Sequence, residues 1–137
     1  MDNFMRTEFF SKSSNEGFAR AAVSAFLSQL DPTIEQLAEI KTAVSEAVTN
    51  AIVHGYESMS GLVPLTCQWK ERLVTITVED KGCGISDVAM ARTPLFTTKP
   101  ELERSGMGFT VMESFMDSVE VYSKEHSGTK VVMVKKL

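Results

Sequence analysis

The sequence is poor in cysteine, which argues against a disulfide-stabilised or cysteine-ligated fold. Its 137 residues include two cysteines, Cys67 and Cys83, far apart in the chain and without a histidine at metal-ligand spacing. Because free thiols persist where the surroundings are reducing, this pattern favours a reducing compartment.

Basic residues are also scarce relative to acidic ones. The chain has 14 Lys and Arg against 18 Asp and Glu, which gives a net charge of −4. Non-specific binding to nucleic acid depends on clustered cations that face phosphates. The charge balance therefore argues against nucleic acid as a direct partner.

Long apolar runs are missing as well. The longest, such as VVMV at residues 131–134, span only a few positions, and the N-terminal MDNFMRTEFF lacks the apolar core of a signal peptide. We therefore expect a cytoplasmic protein without a membrane anchor. The length predicts one domain over residues 1–137, built around a single core.

Hydrophobic periodicity predicts a strand and two helices in the first part of the chain. A Phe-rich alternation indicates a strand over residues 4–10, and helical spacing indicates helices over residues 14–30 and 33–54. Asp31, followed by a proline, favours the start of the second helix, and Gly55 its end. The apolar positions that suggest the first helix are Phe18, Ala22, Ala25, Phe26 and Leu30.

The second part of the chain changes to a period of two. Residues 62–69 and 73–80 read as one hairpin, and residues 119–124 and 129–136 as another, with a helix over residues 109–117 between them. The order is strand, two helices, hairpin, loop, helix, hairpin. This order predicts a layer of helices on a sheet.

Three polar residues lie four positions apart in the otherwise apolar stretch EAVTNAIVHGY. Glu46, Asn50 and His54 would project from one side of a regular helix. An amide oxygen can ligate a hard cation such as Mg²⁺, and a neighbouring carboxylate can accept a proton or orient a hydroxyl. The alternative is the polar edge of an amphipathic helix.

Two glycines follow an acidic residue at a strand end in EDKGCGIS. Asp80 could accept a hydrogen bond from an amino group such as that of adenine, while Gly82 and Gly84 would let backbone approach a ligand closely. A plain turn would also use Asp and Gly.

A third feature, ERSGMGF, places Gly106 and Gly108 just before a predicted helix, where free N–H groups bind phosphate well. The third glycine of a dinucleotide fingerprint would fall at Val111, and no GxxxxGK[ST] occurs, so neither a Rossmann site nor a P-loop is predicted. The fourth feature is the pair Gly128 and Thr129 between the last two strands, which taken alone is only a turn.

Arg20 is the only charged residue between Glu16 and Asp31. It either belongs to a solvated helix face or contacts a protein partner.

In this order, the Glu-Asn helix, DxGxG, GMGF before a helix and a late Gly-Thr resemble the ATP-binding domain shared by gyrase, heat-shock chaperones, histidine kinases and mismatch-repair ATPases. The resemblance covers residues 33–134. It implies a Bergerat-type fold, an α/β (α+β) two-layer sandwich in which helices cover one face of a mixed, mostly antiparallel sheet. More narrowly, the whole chain resembles the bacterial anti-sigma factors that are also serine kinases, most closely the branch that acts on the sporulation sigma factor F.

The resemblance also implies residue roles. Glu46 would be the general base toward the attacking hydroxyl, Asn50 would ligate Mg²⁺, and Asp80 would bind the adenine amino group, helped by Thr129 through water. Gly82 and Gly84 would shape the nucleotide pocket. The further residues implied at the phosphates are Thr97, Thr98, Lys99, Arg104, Ser105, Gly106, Met107 and Gly108.

The function implied is that of an anti-sigma factor that inhibits a sporulation sigma factor and, with Mg²⁺-ATP, phosphorylates a serine of the anti-anti-sigma factor. ATP and ADP would be its nucleotides, and a homodimer its assembly. No phospho-accepting helical hairpin and no second domain are evident, so the acceptor would lie on another protein. The alternatives are a non-catalytic, nucleotide-gated module that binds a sigma factor, and a stress-response anti-sigma kinase of the same branch.

Overall fold

The computed structural model describes residues 1–57, 59–85, 88, 92 and 108–137. Within these residues the elements follow the order expected from the sequence. They are β1 (Asn3–Phe10), α1 (Asn15–Leu27), α2 (Ile34–Thr49), β2 (Leu62–Lys70), β3 (Leu73–Asp80), α3 (Gly108–Phe115), β4 (Ser118–Lys124) and β5 (Gly128–Lys136). A short 3₁₀ turn over Ser28–Leu30 follows α1, and a π-helical turn over Asn50–Gly55 follows α2.

The five strands form one sheet in the order β1-β2-β3-β5-β4. The expected α+β architecture is confirmed. All four pairings between neighbouring strands of the described sheet are antiparallel, without the parallel pair that a mixed sheet would include. Two of these pairings are hairpins, which are antiparallel by construction.

The helices pack on one face of the sheet, and the two layers share one hydrophobic core. Leu65, Ile76 and Met133 from the central strands are fully buried, as are Leu27 of α1 and Ile40 of α2. None of the described helices is both long and apolar enough to cross a bilayer.

The face of α1 that packs on the sheet differs from the one expected. Ala19, Val23 and Leu27 are the buried residues of α1, whereas Phe18 is 49% exposed and Ala25 is exposed. Phe26 and Leu30 of the expected stripe do pack against the core. The apolar residues of this helix surround most of its circumference, so spacing alone selected a stripe that is only partly right.

The helix α2 begins with a capping box. The Thr33 side chain accepts a hydrogen bond from the backbone N–H of Gln36 at 3.0 Å, and the Gln36 side chain accepts one from the backbone N–H of Thr33 at 2.9 Å. The expected cap, Asp31, instead adopts φ 50° at the end of the 3₁₀ turn. Residue type could not distinguish the two roles, because the polar residues that cap helices are also the ones that form tight turns.

The expectation of one regular helix to residue 54 is wrong. The α-helical hydrogen bonds end at Thr49, and Tyr56 N–H donates to Ala51 O five residues back. The regular α-helical spacing that was expected to carry on to His54 therefore ends at Thr49. Of the three polar residues four positions apart, Glu46 and Asn50 keep the α-helical spacing, and the helix type changes between Asn50 and His54.

Candidate nucleotide site

Three chain segments meet at one end of the sheet, where the π turn, the end of β3 and the start of β5 come together. Cys83 N–H donates to Gly55 O at 2.8 Å, and His126 N–H donates to Cys83 O at 2.5 Å. The strand register pairs Asp80 with Thr129. Three of the four sequence features thus lie at one place.

We call the place where Gly55, Cys83 and His126 are joined the crossing. The glycines at the crossing are required by contacts within the chain. A Cβ at Gly82 would lie 1.8 Å from Gly55 O, and a Cβ at Gly84 would lie 2.0 Å from Lys124 O. Gly84 also adopts φ +75°, which L side chains rarely reach. The role of both glycines toward a bound nucleotide stays a prediction.

The carboxyl group of Asp80 lies at the centre of this crossing. Gly55 touches it, since a Cβ at Gly55 would lie 2.5 Å from the carboxyl carbon. Gly82 N–H donates to Asp80 Oδ1 at 2.9 Å, and the residue is only 6% exposed. Burial raises the pKa of Asp80 from 3.8 to about 6, although the backbone N–H groups of Gly82 and Thr129 oppose the shift.

We expect the Asp80 carboxyl of the nucleotide-free chain to titrate near pH 6. The raised pKa means that the folded chain binds this proton more readily than the unfolded chain, so its contribution to stability is full below pH 3.8 and is lost as the pH rises through about 6. The ionised acceptor therefore forms at a cost in stability. ¹³C NMR of the carboxyl carbon measures the titration, with the missing resonance of Asp80→Asn as its assignment. A midpoint near pH 4 would contradict the burial argument.

A buried tyrosine connects the segments around Asp80. Lys81 N–H donates to the Tyr56 hydroxyl oxygen at 2.8 Å, and that hydroxyl donates to Leu62 O at 2.6 Å. Tyr56 therefore joins the π turn to the ends of β3 and β2. Sequence reasoning missed this residue, because a tyrosine after a glycine gives no periodic signal.

Glu46 lies on the last turn of α2, and Asn50 is the first residue of the π turn that ends at Gly55. Both residues are half-buried, and Asn50 N–H is directed at the carbonyl oxygens of Glu46 and Ala47. The contact between Gly55 and Asp80 fixes this end of the helix against the sheet. The π turn that follows Asn50 is thereby packed against the Asp80 carboxyl.

The described residues contain no cluster of three or more His, Cys, Asp or Glu side chains that could hold a metal by themselves. Mg²⁺ generally keeps several waters and takes few protein ligands beside phosphate oxygens. The half-buried carboxamide of Asn50 is a suitable oxygen donor of this kind.

An open cavity of about 460 Å³ adjoins the crossing. Its lining residues are Gly55, Tyr56, Glu57, Met59, Lys81, Gly82, Cys83 and His126. The Cys83 thiol lies 3.0 Å from His54 O, and burial, together with Glu57, raises the pKa of this thiol. Cys83 therefore stays a protonated, packed thiol at neutral pH rather than a reactive thiolate.

The phosphate side of the expected site is described only in part. Gly108 begins α3, whose Phe109 and Met112 are buried in the core. The remaining residues implied at the phosphates lie outside the described part of the chain. They are Thr97, Thr98, Lys99, Arg104, Ser105, Gly106 and Met107.

Arg20 lies away from the crossing, on α1. Its Nε atom is 3.2 Å from a carboxylate oxygen of Glu16, oriented for an ion contact but not for a hydrogen bond. A groove of about 450 Å³ runs past it. The groove is lined by Gly17, Arg20, Ala21, Ser24, Ala25 and Lys41.

Comparison with known proteins identifies the family of the chain. Residues 12–135 match the family described as the histidine kinase-like ATPase domain. A crystal structure of RsbU and RsbW domains from Mycobacterium tuberculosis superposes with a TM-score of 0.71 at 19% identity, over 98% of this chain and 32% of the other, which supports the fold. The chain belongs to the histidine kinase-like ATPase family.

Full-length relatives narrow the resemblance. The chain is 64% identical to an anti-sigma F factor of Clostridium perfringens, with 100% of this chain and 99% of the relative covered. It is 60% identical to an anti-sigma F factor of Clostridium novyi, over 98% and 95%, and 53% identical to one of Clostridium acetobutylicum, over 99% and 95%. The resemblance that was recognised in the sequence is confirmed.

Proposed function

We propose that the chain is an anti-sigma factor that inhibits a sporulation sigma factor and, with Mg²⁺-ATP, phosphorylates a serine of an anti-anti-sigma protein. The observation that carries the proposal is the buried Asp80 carboxylate, held by Gly82 against the end of the helix that bears Glu46 and Asn50. The names of the full-length relatives support the choice of a sigma factor as partner. The compartment proposed is the cytoplasm.

Each of these groups has a task in phosphoryl transfer. The Asp80 carboxylate accepts hydrogen bonds from the adenine amino group and so anchors the base, while Thr129 completes that contact through water. Asn50 holds Mg²⁺, which neutralises phosphate charge when it is bound. Glu46 accepts the proton of the attacking serine hydroxyl, and the rigid crossing maintains its position. Phosphoryl transfer needs little beyond such positioning and charge stabilisation.

The partner surface proposed includes Arg20. The groove beside it carries two cations, Arg20 and Lys41, on a floor of small residues, and it suits an acidic segment of a partner protein. Small residues allow close approach of a partner backbone, and the two cations would orient it.

A homodimer is part of the same proposal. Among the described strands β1 pairs with β2 alone, so its other edge has unpaired backbone groups. Phe4 is 47% exposed and Phe10 59% exposed on this strand. An antiparallel or parallel pairing of two β1 strands would cover both.

The test is transfer from γ-labelled ATP with Mg²⁺ into the proteins of a lysate of the cells that encode the chain. We expect one labelled protein that bears phosphoserine, no label with Asp80→Asn, which should not bind ATP, and reduced label with Arg20→Ala, which should bind ATP normally. ATP binding is measured by calorimetry on each variant.

The outcomes separate the proposals. ATP binding without any transfer would favour a non-catalytic module that nucleotide switches between partners. If the chain transfers phosphate but binds a stress-response sigma factor, it would be the stress-response anti-sigma kinase named above as an alternative. Absence of ATP binding would remove the whole proposal.

A further inference from the structure

Three polar side chains form one row across the strands that end at the candidate nucleotide site. The register pairs Asp80 of β3 with Thr129 of β5, and Thr129 with Ser123 of β4. Asp80 and Thr129 are each 6% exposed, and Ser123 is half-buried. Only the first two were expected at the site, because Ser123 looks like an ordinary polar residue of an alternating strand.

Ser123 makes more polar contacts than a strand serine requires. Its Oγ accepts the Ile85 N–H at 2.7 Å, lies 2.8 Å from Thr129 Oγ1, and can donate to Gly128 O at 3.1 Å. Ile85 directly follows Gly84, the last glycine of the DxGxG turn. The hydroxyl therefore connects that turn to the start of β5.

The hydrogen-bond inventory of a hydroxyl limits what this arrangement can do. A serine has one proton and two acceptor positions, of which Ile85 N–H occupies one. If the Ser123 proton is directed at Gly128 O, then Thr129 must donate to Ser123 and offers only lone pairs to a ligand. If it is directed at the nearer Thr129 Oγ1, the Thr129 proton is released toward the site.

We infer that Ser123 is a positioning residue that selects adenine through Thr129. This rests on the proposed nucleotide function. With Ser123 donating to Thr129, the row offers an acceptor from Asp80 beside the Thr129 proton. The water proposed between Thr129 and the base would accept that proton and donate one of its own to the base. Adenine presents the complementary pattern, an amino donor beside the N1 acceptor, whereas hypoxanthine presents an O6 acceptor beside an N1–H donor. The bond to Ile85 holds Ser123 in place for this purpose.

The test measures affinities for ATP and for inosine triphosphate, which differ only in that edge of the base. We expect Ser123→Ala to weaken ATP binding and to lower the preference for ATP over inosine triphosphate by about 3- to 10-fold, the range for one neutral hydrogen bond. Ser123→Thr keeps the hydroxyl and should keep the preference. Ser118→Ala, an exposed serine at the other end of β4, should change neither affinity.

A double-mutant cycle shows whether Ser123 acts through Thr129. In a Thr129→Val background, Ser123→Ala should no longer change the base preference, because the hydroxyl that it orients is gone. A merely structural serine would lower the melting temperature and weaken both nucleotides equally. An unchanged preference in Ser123→Ala would therefore overturn the inference.

Three further outcomes are decisive. If Ser123→Ala does not fold, Ser123→Cys preserves the volume with a weak donor, and its preference for ATP should fall as well; an unchanged preference in this variant overturns the inference. If the unsubstituted chain binds ATP but all variants share its base preference, Ser123 loses its role and the proposed function stands. If the unsubstituted chain binds neither nucleotide, both are overturned.

Discussion

Replacement of Glu46 by Gln is expected to reduce phosphoryl transfer about 100- to 10,000-fold, the range for loss of a general base, while ATP affinity stays within about twofold. The carboxamide has nearly the same shape and can orient a hydroxyl, but it cannot take its proton. The contacts that would hold the base join Asp80, Gly82 and Thr129, whereas Glu46 lies on a different element, the last turn of α2. Single-turnover transfer and calorimetric ATP titration measure the two effects separately.

Glu39→Gln is the matched control for this substitution. Glu39 is half-buried on the same helix, two turns before Glu46, and its nearest cation is Lys135 at 4.0 Å. It should transfer phosphate at the normal rate. Intact transfer in Glu46→Gln would remove the general base from the mechanism, and equal loss in both variants would indicate a general effect of charge on α2.

The second large effect is expected from Gly82→Ala, which should lower the free energy of unfolding by about 3 kcal/mol and weaken ATP binding more than tenfold. The added Cβ would lie 1.8 Å from Gly55 O. Because both segments are backbone, no rotamer change can relieve the overlap, and the crossing must open. Gly55 would then leave the Asp80 carboxyl. Urea unfolding and ATP titration measure the two losses.

Gly17→Ala provides the opposite expectation from the same change. Gly17 lies inside α1, and a Cβ there would be 3.8 Å from its nearest neighbour, an Arg20 side-chain nitrogen. Alanine should stabilise the helix by about 0.5–1 kcal/mol, since glycine loses more backbone freedom on folding. Unchanged stability and binding in Gly82→Ala would show that the crossing can yield, and the argument for a rigid junction would fail.

The order of elements could be read from the sequence because periodicity is a local property. Residues 66–69 and 74–79 alternate polar and apolar residues within the predicted strands 62–69 and 73–80. The observed strands, Leu62–Lys70 and Leu73–Asp80, agree with the predicted ones within one residue. The buried stripe of α1 could not be read in the same way. Apolar residues cover several faces of that helix, and which face is buried depends on the sheet that it meets.

The site was only partly accessible to sequence reasoning. Asp80, Gly82 and Thr129 were selected by motif, and the fold brings them together at one end of the sheet. Tyr56 and Ser123 were missed. Tyr56 contacts Lys81, 25 positions away, and Ser123 contacts Thr129, 6 positions away, and no rule of helix or strand spacing connects such pairs.

The sequence by itself determined the class of fold, the four motifs and the pairing of Glu46 with Asn50, because these depend on residue type and on the repeat of a regular helix or strand. Only the tertiary structure decided the change from α to π at Asn50, the lack of space for a side chain at Gly55 and Gly82, and the raised pKa of Asp80. Those properties arise where separate segments are pressed together.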